Sequence, residues 1–321
     1  MTNARRIVGF LAGGGFVSGE DMAARLGVSR AAVSQQVARL RDMGIPIHSV
    51  RGRGYRLAES LEPLDADVIR SALGERALDR VRGIELCEQV DSTNRYLADA
   101  VAAGQRVDVC LAEFQSAGRG RRGRAWLAAP YGSVLLSLAH RLPGGPAASA
   151  GLSLAAGVAV ARAVERVGCH GVSLKWPNDL LLRGAKFGGI LVEITGELGG
   201  DCTCIVGVGA NVTLPAALEA RCAYPVTSIS RHAEAPVSRN ALVAAMITEL
   251  VDALAVFDRH GFAPFREEWD LRHAHRDRTV RVAVGDRVVE GRARGVADDG
   301  ALRLVEPSGK ILRITTGEVM A

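Results

Sequence analysis

The chain has 321 residues and is 48% hydrophobic, which is enough for two or three domains with buried cores. Its net charge of +5 comes entirely from residues 1–60, where nine arginines face four acids (9 − 4 = +5). The six cysteines show no C-x-x-C spacing, and no uninterrupted apolar run approaches the roughly twenty residues that span a bilayer. These features argue against a membrane protein and a cysteine-built metal site, and they favour a cytoplasmic location.

The first sixty residues carry the pattern of three short helices followed by a β-hairpin. Residues 3–12 suit a helix that glycines end, and Ser18 and Ser29 each stand where a helix N-cap is expected. Strands at 45–50 and 55–57, joined by an Arg-Gly-Arg-Gly turn, follow the third helix. This order predicts a winged helix-turn-helix.

The exposed face of the third predicted helix and the turn of the hairpin are rich in arginine and polar side chains. Such groups reach base edges and phosphates, so a basic module on a neutral body indicates DNA binding. A small helical module for protein contact is the alternative. Residues 59–65, which include a proline, indicate a linker. The candidate DNA-binding residues are Ser29, Arg30, Ser34, Gln35, Arg39, Arg51 and Arg53.

The middle of the chain, residues 66–270, mixes helical and strand patterns. Several strands are adjacent in sequence, which predicts a mixed sheet and an α+β domain rather than a purely parallel one. Residues 278–318 alternate short strands with glycine turns, which is typical of a small β-barrel. The predicted helices lie at 66–73, 94–103, 147–168, 239–260 and near 262–273, and the predicted strands at 84–90, 108–114, 133–139, 172–176, 180–183, 189–195 and 203–212.

Residues 118–124 read Gly-Arg-Gly-Arg-Arg-Gly-Arg, and we name this segment the Arg-Gly loop. Each guanidinium can grip phosphate or carboxylate oxygens two at a time, and the glycines let the backbone bend over a ligand. The loop is therefore predicted to close over a polyanion. An RNA-binding tract or a disordered linker is the alternative. The glycine spacing also matches a dinucleotide fingerprint, but the interleaved arginines and the lack of a following helix oppose that interpretation.

A second motif, Lys-Trp-Pro-Asn-Asp at 175–179, joins two predicted strands and precedes a glycine-rich hairpin at 183–189. The chain has only three lysines, and two of them lie in these segments, which indicates sites that need a compact ammonium. Residues 91–94 fit either a plain helix N-cap or a helix N-terminus that holds a polar ligand group. Gln115 suits an amide-like or ureido-like group, and Trp126 would either stack on a ligand or anchor the core.

In combination, these segments resemble the bifunctional biotin–protein ligase and biotin-operon repressor family. The resemblance rests mainly on the Arg-Gly loop together with the Lys-Trp-Pro-Asn-Asp motif, and it covers nearly the whole chain. The further matching segments, in family order, are 91–94, Gln115, Trp126, 186–189 and 207–211. The resemblance implies a winged helix-turn-helix domain at 1–62, a class II synthetase-like catalytic domain at 63–273 and an SH3-like domain at 274–321.

The resemblance implies a two-step reaction that uses ATP, biotin and Mg²⁺. The biotin carboxylate would attack the α-phosphorus of ATP, and a lysine of a carrier protein would then attack the resulting biotinyl-5′-AMP. The implied catalytic residues are Arg121, Lys186 and Asp179, with Asp179 serving either the metal or the incoming amine. The implied biotin-binding residues are Ser92, Thr93, Asn94, Gln115, Gly118, Arg119, Gly120, Arg121, Lys186, Gly188 and Gly189. The implied adenylate-binding residues are Arg121, Arg122, Arg124, Trp126, Lys175, Asn178 and Asn211.

The resemblance also implies three partners: a biotin carboxyl carrier protein with an acceptor lysine, operator DNA, and a second copy of the chain once the adenylate is bound. No membrane partner is expected. Residues 212–224 show no family motif, so no contacts are predicted there. A lipoate–protein ligase, which shares the catalytic fold, is one alternative. A transcription factor whose enzyme domain only binds ligand is another.

Overall fold

The computed structural model describes residues 3–59, 61–195 and 202–320. The chain folds into an N-terminal winged helix-turn-helix, a central mixed sheet packed with helices, and a C-terminal antiparallel sheet. This is the α+β architecture that the sequence predicts. The central unit contacts both of the others, and its contact with the C-terminal sheet forms the cleft described below.

Three helices and a two-stranded hairpin form the N-terminal unit. Its elements are α1 (Asn3–Leu11), α2 (Gly19–Leu26), α3 (Arg30–Asp42), β1 (Ile47–Val50) and β2 (Gly54–Leu57). Ser18 and Ser29 cap α2 and α3, because their hydroxyls accept hydrogen bonds from the backbone N–H groups of Asp21 and Ala32. The three helices bury one apolar cluster between them, as the helical spacing of the apolar residues predicts.

One residue of the central unit completes the core of the winged helix. Tyr131 is fully buried in the apolar cluster of the N-terminal helices. Its hydroxyl donates to a carboxylate oxygen of Glu88, and the Arg5 guanidinium lies 3.8 Å from the other oxygen of that carboxylate. Tyr131 has a φ of 57°, a backbone conformation that residues other than glycine rarely adopt. The contacts between the two units therefore hold Tyr131 in place against backbone strain.

Within the predicted linker, residues 61–65 are held by hydrogen bonds to the central unit. The Leu64 N–H donates to the Glu113 carboxylate at 2.6 Å, and the Arg239 guanidinium donates to the Glu62 carbonyl at 2.5 Å. Arg239 also pairs with Glu113 at 2.8 Å, and their side chains are only 3% and 0% exposed. Residues 61–65 are thus fixed to the central unit by buried polar groups, which limits how far the winged helix can move.

The central sheet has seven strands. They are β3 (Ile84–Val90), β4 (Val109–Gln115), β5 (Ser133–Leu142), β6 (Val172–Lys175), β7 (Asp179–Leu182), β8 (Ala185–Thr195) and β9 (Cys202–Asn211). Their order across the sheet is β3-β4-β5-β9-β8-β7-β6. Strands β3 and β4 are parallel, and the other neighbouring pairs are antiparallel. The parallel pair β3–β4 beside the antiparallel pairs makes the sheet mixed.

The helices of the central unit are α4 (Ala66–Ser71), α5 (Glu75–Arg80), α6 (Thr93–Ala102), α7 (Leu152–Arg166), α8 (Ala216–Glu219), α9 (Arg239–His260) and α10 (Arg266–Leu271). The sequence prediction missed the short helices α5 and α8. Helices α7 and α9 pack against each other and against the sheet. The segments Pro146–Arg166 and Arg239–His260 are long and apolar enough to cross a membrane, but 61% and 72% of their apolar windows are buried here. Both are core helices of this fold.

The C-terminal unit is a five-stranded antiparallel sheet. Its strands are β10 (Thr279–Val284), β11 (Arg287–Val296), β12 (Leu302–Val305), β13 (Ile311–Ile314) and β14 (Glu318–Val319). They lie in the order β13-β12-β11-β10-β14, so the chain returns at its end to pair beside β10. This return carries Glu318 to the mouth of the cleft.

Candidate functional site

A cleft of about 610 Å³ lies where the central sheet meets the C-terminal sheet. The start of α6, the Arg-Gly loop, the turn before β7 and the strands β8 and β9 form its walls. Residues 224–225 and strand β14 complete its rim. The fold therefore collects most of the predicted ligand-binding segments in one place.

One end of the cleft, which we name the polar end, is built from buried polar side chains at the N-terminus of α6. Gln115 Oε1 accepts from the Thr93 backbone N–H at 2.7 Å and from the Thr93 hydroxyl at 3.0 Å. The Ser137 hydroxyl donates to Asn94 Oδ1 at 2.6 Å and lies 2.8 Å from Thr93 Oγ1. Ser92 stands at the N-cap position without a side-chain capping bond. The Ser92 hydroxyl and Gln115 Nε2 are thus available to a ligand, whereas Gln115 Oε1 already accepts two hydrogen bonds.

Glu193 on β8 links the polar end to the Arg-Gly loop. Asn94 Nδ2 donates to Glu193 Oε2 at 2.7 Å, and the Arg119 guanidinium lies 3.6 Å from Glu193 Oε1. The Arg119 and Glu193 side chains are 46% and 41% exposed, so water screens this ion pair and a ligand can replace it at little cost. Arg119 is therefore held near the polar end without being locked there.

The Arg-Gly loop lies across the cleft and is fastened to the C-terminal sheet. Arg124 donates through two guanidinium nitrogens to the two carboxylate oxygens of Glu318, at 2.5 Å each. Arg122 lies 3.6 Å from the same carboxylate, and Arg121 donates to the Gly317 carbonyl at 3.4 Å. The hydrogen bond from Arg124 lowers the pKa of Glu318, so this carboxylate is ionised at neutral pH.

Arg121 is the member of the loop that burial affects most clearly. Burial, followed by the charge of Arg122, lowers the pKa of Arg121. Among the residues that the structure describes, Arg121 has no carboxylate within ion-pair distance, and its bond to Gly317 is long. A partly buried guanidinium in this state favours an anionic ligand, because the anion would supply the missing charge partner.

Lys186 lies in a cage formed by one carboxylate and two aromatic rings. Its ammonium is 2.5 Å from Asp179 Oδ1, and the two side chains are 18% and 21% exposed. The same ammonium lies 5.7 Å from the Trp126 ring centroid and 5.5 Å from the Tyr224 ring centroid. Aromatic faces attract a cation, so this cage keeps a compact positive charge at the wall of the cleft.

The Lys-Trp-Pro-Asn-Asp motif forms the tight connection between β6 and β7. The Trp176–Pro177 peptide bond is cis, and the buried Trp176 indole donates to the Gly300 carbonyl at 3.1 Å. Asn178 Nδ2 donates to the Ile190 carbonyl at 2.8 Å, which ties the turn to β8. The tryptophan and asparagine therefore brace the turn, and all five residues of the motif line the cleft.

Two glycines of β9 are required by close contacts. A Cβ on Gly207 would lie 2.2 Å from Asn94 Oδ1, and a Cβ on Gly209 would lie 2.6 Å from the Trp126 ring. Either side chain would displace a wall of the cleft. The half-buried Trp126 thus packs on bare backbone and also lines the cleft.

Comparison with known proteins agrees with this geometry. Residues 86–211 match the biotin/lipoate A/B protein ligase family, residues 3–56 match an HTH domain, and residues 275–320 match the biotin protein ligase C-terminal domain. The chain is 38% identical over 315 residues to the bifunctional ligase/repressor BirA of Escherichia coli strain K12, covering 98% of this chain and 95% of that protein. The chain belongs to the bifunctional biotin–protein ligase and repressor family.

Two further relatives support the ligase assignment and the fold. The biotin–[acetyl-CoA-carboxylase] ligase of Mycobacterium tuberculosis is 34% identical over 272 residues, covering 80% of this chain and 98% of that one. The biotin protein ligase from Aquifex aeolicus, solved with biotin and ATP, superposes with a TM-score of 0.62. Its sequence identity is 24%, over 74% of this ligase and 98% of that chain, so it supports the fold alone.

Most of the predicted ligand-binding residues of this ligase line the cleft, and three of them do not. Among the predicted site residues of the catalytic cleft, those that do not line it are Gly118, Gly188 and Asn211. A Cβ on Gly118 would lie 2.9 Å from Gln115 Nε2, and one on Gly188 would lie 2.9 Å from a backbone oxygen of β9. Asn211 is 5% exposed and donates to the Thr227 carbonyl at 3.3 Å. The glycines thus permit close packing, and Asn211 fastens the end of β9.

The predicted DNA-binding residues lie on the outside of the winged helix, and two of them also make contacts within the protein. The Ser29 hydroxyl already caps α3, so its first role is structural. The Arg53 guanidinium lies 4.5 Å from the Phe16 ring centroid, so this part of the wing packs on the protein itself. All seven candidates are exposed, namely Ser29, Arg30, Ser34, Gln35, Arg39, Arg51 and Arg53.

The sequence prediction missed several residues of the ligase cleft. Glu193 and Glu318 fasten the Arg-Gly loop, and Tyr224 and His275 line the cleft. No local signal marks Glu318, because its partner lies 194 residues earlier in the chain. Tyr224 belongs to the irregular segment in which no motif was recognised, and its ring near Lys186 shows that this segment reaches the cleft.

The cleft contains no ready-made metal cage. Within residues 3–59, 61–195 and 202–320, no group of three or more His, Cys, Asp or Glu side chains is arranged to hold a metal ion. A ligase that binds Mg²⁺ with its nucleotide needs fewer protein ligands, because phosphate oxygens and water supply the others. Asp179 lines the cleft and offers hard carboxylate oxygens, so its donor type fits such an ion.

Proposed function

We propose that the chain makes biotinyl-5′-AMP from biotin and ATP, transfers biotin to a lysine of a biotin carboxyl carrier protein, and represses transcription in response to biotin. The ligase proposal depends chiefly on the Arg-Gly loop, which lies across a cleft whose polar end faces a cation-bearing end. This arrangement suits one ligand with a ureido group and a carboxylate next to a second ligand with phosphates.

The first step joins two anions. The biotin carboxylate oxygen attacks the α-phosphorus of ATP, which forms the mixed anhydride and releases pyrophosphate. Repulsion between the reactants opposes this approach, so fixed cations lower the barrier. Arg121 from the loop and Lys186 from the wall supply them, and an incoming carboxylate or phosphate oxygen would take the place of Asp179 beside Lys186. Both cations are held before the ligand arrives, which reduces the cost of arranging them.

The two ligands occupy different parts of the cleft in this proposal. Ser92, Thr93 and Gln115 bind the ureido ring of biotin, because they offer donors and acceptors with fixed directions. Arg119 closes over this end. Trp126 borders the adenylate, while the phosphates lie among cationic and amide groups that line the cleft, namely Arg122, Arg124, Lys175 and Asn178.

The second step requires a neutral amine and a dry anhydride. The acceptor lysine attacks the carbonyl carbon of biotinyl-5′-AMP, which forms an amide bond, releases AMP and leaves one proton to be removed. Asp179 lies at the cleft wall and can accept this proton. The Arg124–Glu318 ion pair keeps the Arg-Gly loop across the cleft, which limits hydrolysis of the anhydride by water.

In this proposal Mg²⁺ would bind together with ATP. Asp179 would hold the ion together with phosphate oxygens, and the ion would offset part of the triphosphate charge. Because Asp179 Oδ1 is paired with Lys186 at 2.5 Å, bound nucleotide would have to share or replace that contact.

The repressor role is supported by the exposed basic face of α3 and the wing. Gln35 and Arg39 suit base edges or phosphates, and Arg51 suits a phosphate. Two copies of the chain, joined when the adenylate is bound, would present two such helices to a palindromic operator. Unused adenylate would then favour repression, and transfer of biotin to the carrier would relieve it. Both roles place the protein in the cytoplasm.

Biotin-dependent exchange of pyrophosphate into ATP tests the ligase. We expect exchange with biotin and none with lipoate. Exchange driven only by lipoate would identify a lipoate ligase, and no exchange with either acid would leave a ligand-binding transcription factor. Incubation with a biotin carboxyl carrier protein, followed by detection of bound biotin, tests the second step separately.

A gel-shift experiment with DNA upstream of the biotin synthesis genes tests the repressor. We expect tighter binding and a larger complex when biotin and ATP are both present. Equal affinity with and without them would remove the proposed coupling. Sedimentation of the protein alone, with and without the same ligands, measures the dimer directly.

A further inference from the structure

His275 lies on the connection between α10 and β10, and the backbone holds it beside the Lys-Trp-Pro-Asn-Asp motif. The Leu174 N–H donates to the Arg272 carbonyl at 2.8 Å, and the Ala274 N–H donates back to the Leu174 carbonyl at 2.9 Å. This segment thus runs alongside β6, whose last residue is Lys175. Both His275 and Lys175 line the cleft.

The His275 ring makes none of the hydrogen bonds found for the other polar groups of the cleft. Its Nδ1 is buried and has no partner among the described residues. A buried acceptor without a partner costs less than a buried N–H without one, so the neutral ring carries its hydrogen on Nε2. His275 lines the cleft, so Nε2–H is the group of this ring that is left for a ligand.

The His275 ring packs against a neighbouring buried ring. The His273 ring, 6% exposed, meets the His275 ring edge-on at 6.2 Å between centroids. His273 in turn packs on the buried Trp269 ring at 4.7 Å. A side chain that is fixed in this way loses little freedom when it binds a ligand, which makes its single donor more effective.

The surroundings of His275 are positively charged. Burial, the ammonium of Lys175 and the guanidinium of Arg278 lower the pKa of His275, so the imidazole is neutral at pH 7. A neutral donor between cations fits an anion with several oxygens, because the cations supply charge and the imidazole supplies direction. The polar end of the cleft carries the groups that suit the ureido ring.

We propose that His275 is a positioning residue for the β- and γ-phosphates of ATP, and that its Nε2–H donates to an oxygen of the departing pyrophosphate beside Lys175. This inference rests on the proposed ligase function, and it adds a residue to the phosphate-binding end of the cleft. His275 would help to hold the leaving group in line during the first step. It would take no part in the second step, in which pyrophosphate is absent.

Three ligands separate this role from a general effect on the cleft. ATP and inorganic pyrophosphate contain the phosphates that His275 would contact, whereas a non-hydrolysable biotinyl-adenylate analogue lacks them. Calorimetric titration of each ligand into wild type, His275→Ala and His275→Asn measures the three affinities without catalytic turnover. His170→Ala, a change of an exposed histidine after α7, is the matched control.

We expect His275→Ala to weaken ATP and pyrophosphate binding by about tenfold, while the analogue binds as it does to wild type. His275→Asn, which keeps a donor, should recover part of the loss, and His170→Ala should change nothing. Equal weakening of all three ligands would overturn the proposal in favour of a packing role. Unchanged affinities for ATP and pyrophosphate would also overturn it.

A loss of folding can be separated from a loss of contact. If the melting temperature of His275→Ala falls, the decision passes to His275→Asn, in which the same split between phosphate ligands and the analogue must appear. The proposed ligase function fails independently, namely if wild type shows no biotin-dependent pyrophosphate exchange. The titration with pyrophosphate remains informative in that case, because it needs no reaction.

Discussion

Arg124 and Glu318 are 194 residues apart in sequence and form a bidentate ion pair at the mouth of the cleft. Arg124 is 61% exposed and Glu318 is 32% exposed, so the pair contributes little to global stability. Its position gives it another role. It joins the Arg-Gly loop to the last strand of the C-terminal sheet, so the C-terminal unit takes part in closing the site.

Glu318→Gln should loosen the Arg-Gly loop without unfolding the protein. We expect the adenylate to dissociate about two- to fivefold faster, which is the range of an exposed ion pair, with almost no change in melting temperature. Rapid dilution of the preformed adenylate complex measures this rate. Arg313→Gln, which breaks the exposed Arg313–Asp299 pair on the same sheet, is the control and should leave the rate unchanged. An unaltered rate in Glu318→Gln would contradict the closing role.

The same ion pair predicts a dependence on pH. Arg124 lowers the pKa of Glu318 below the ordinary value of 4.5, so the folded state binds this proton less readily than the unfolded state does. The contribution of the pair is therefore complete above about pH 4.5 and is lost as the pH falls through the lowered pKa. Adenylate dissociation from wild type should accelerate on that acid side, and Glu318→Gln should show a smaller acceleration. Parallel profiles would exclude Glu318 as the cause.

Arg121→Gly should leave the fold intact and weaken adenylate retention. The side chain makes one long hydrogen bond to the Gly317 carbonyl, so the folded chain loses little with it. Binding loses a charged hydrogen bond to an anion, for which we expect a drop in affinity of about tenfold or more. Filter binding of labelled adenylate measures the change, and circular dichroism checks the fold. Retention equal to wild type would show that Arg121 has another role.

Substitutions of Tyr131 should distinguish docking of the winged helix from catalysis. Tyr131→Phe removes only the hydrogen bond to Glu88, whereas Tyr131→Ala also leaves a cavity in the apolar cluster that the two units share. The alanine variant should lose about 3–5 kcal/mol of docking or folding energy and the phenylalanine variant about 1 kcal/mol. Limited proteolysis near residues 58–65 and pyrophosphate exchange, measured together, test this. Equal proteolysis of both variants would refute the docking role.

Arg239→Met should be strongly destabilising, because it leaves the Glu113 carboxylate buried without its ionic partner. We expect urea unfolding to show a loss of about 3–5 kcal/mol. Arg76→Met is the matched control, since Arg76 and Asp252 form an ion pair whose side chains are 58% and 42% exposed. It should cost less than about 1 kcal/mol. Similar losses in the two variants would mean that burial of the Arg239 pair does not decide its contribution.

The chain elements could be predicted from sequence because their signals are local. The apolar periods and serine caps of the winged helix and the adjacent apolar strands of the central sheet gave elements within a few residues of those observed. The short helices α5 and α8 were missed because four to six residues are too few to show the helical period of apolar residues. The connection at 59–65 was taken for a linker because its buried partners, Glu113 and Arg239, are distant in sequence.

The candidate site was predictable only where its functional residues are close together in sequence. The four arginines and three glycines of residues 118–124 predict an anion-binding loop that closes over its ligand. Only the tertiary structure showed that Glu318 fastens this loop, that Tyr224 and Asp179 surround Lys186, and that Asn211 braces a strand instead of lining the cleft. The physical reason is range: helix caps, turns and periodicity act between neighbours, whereas burial, ion pairs and ring contacts depend on which distant segments the fold brings together.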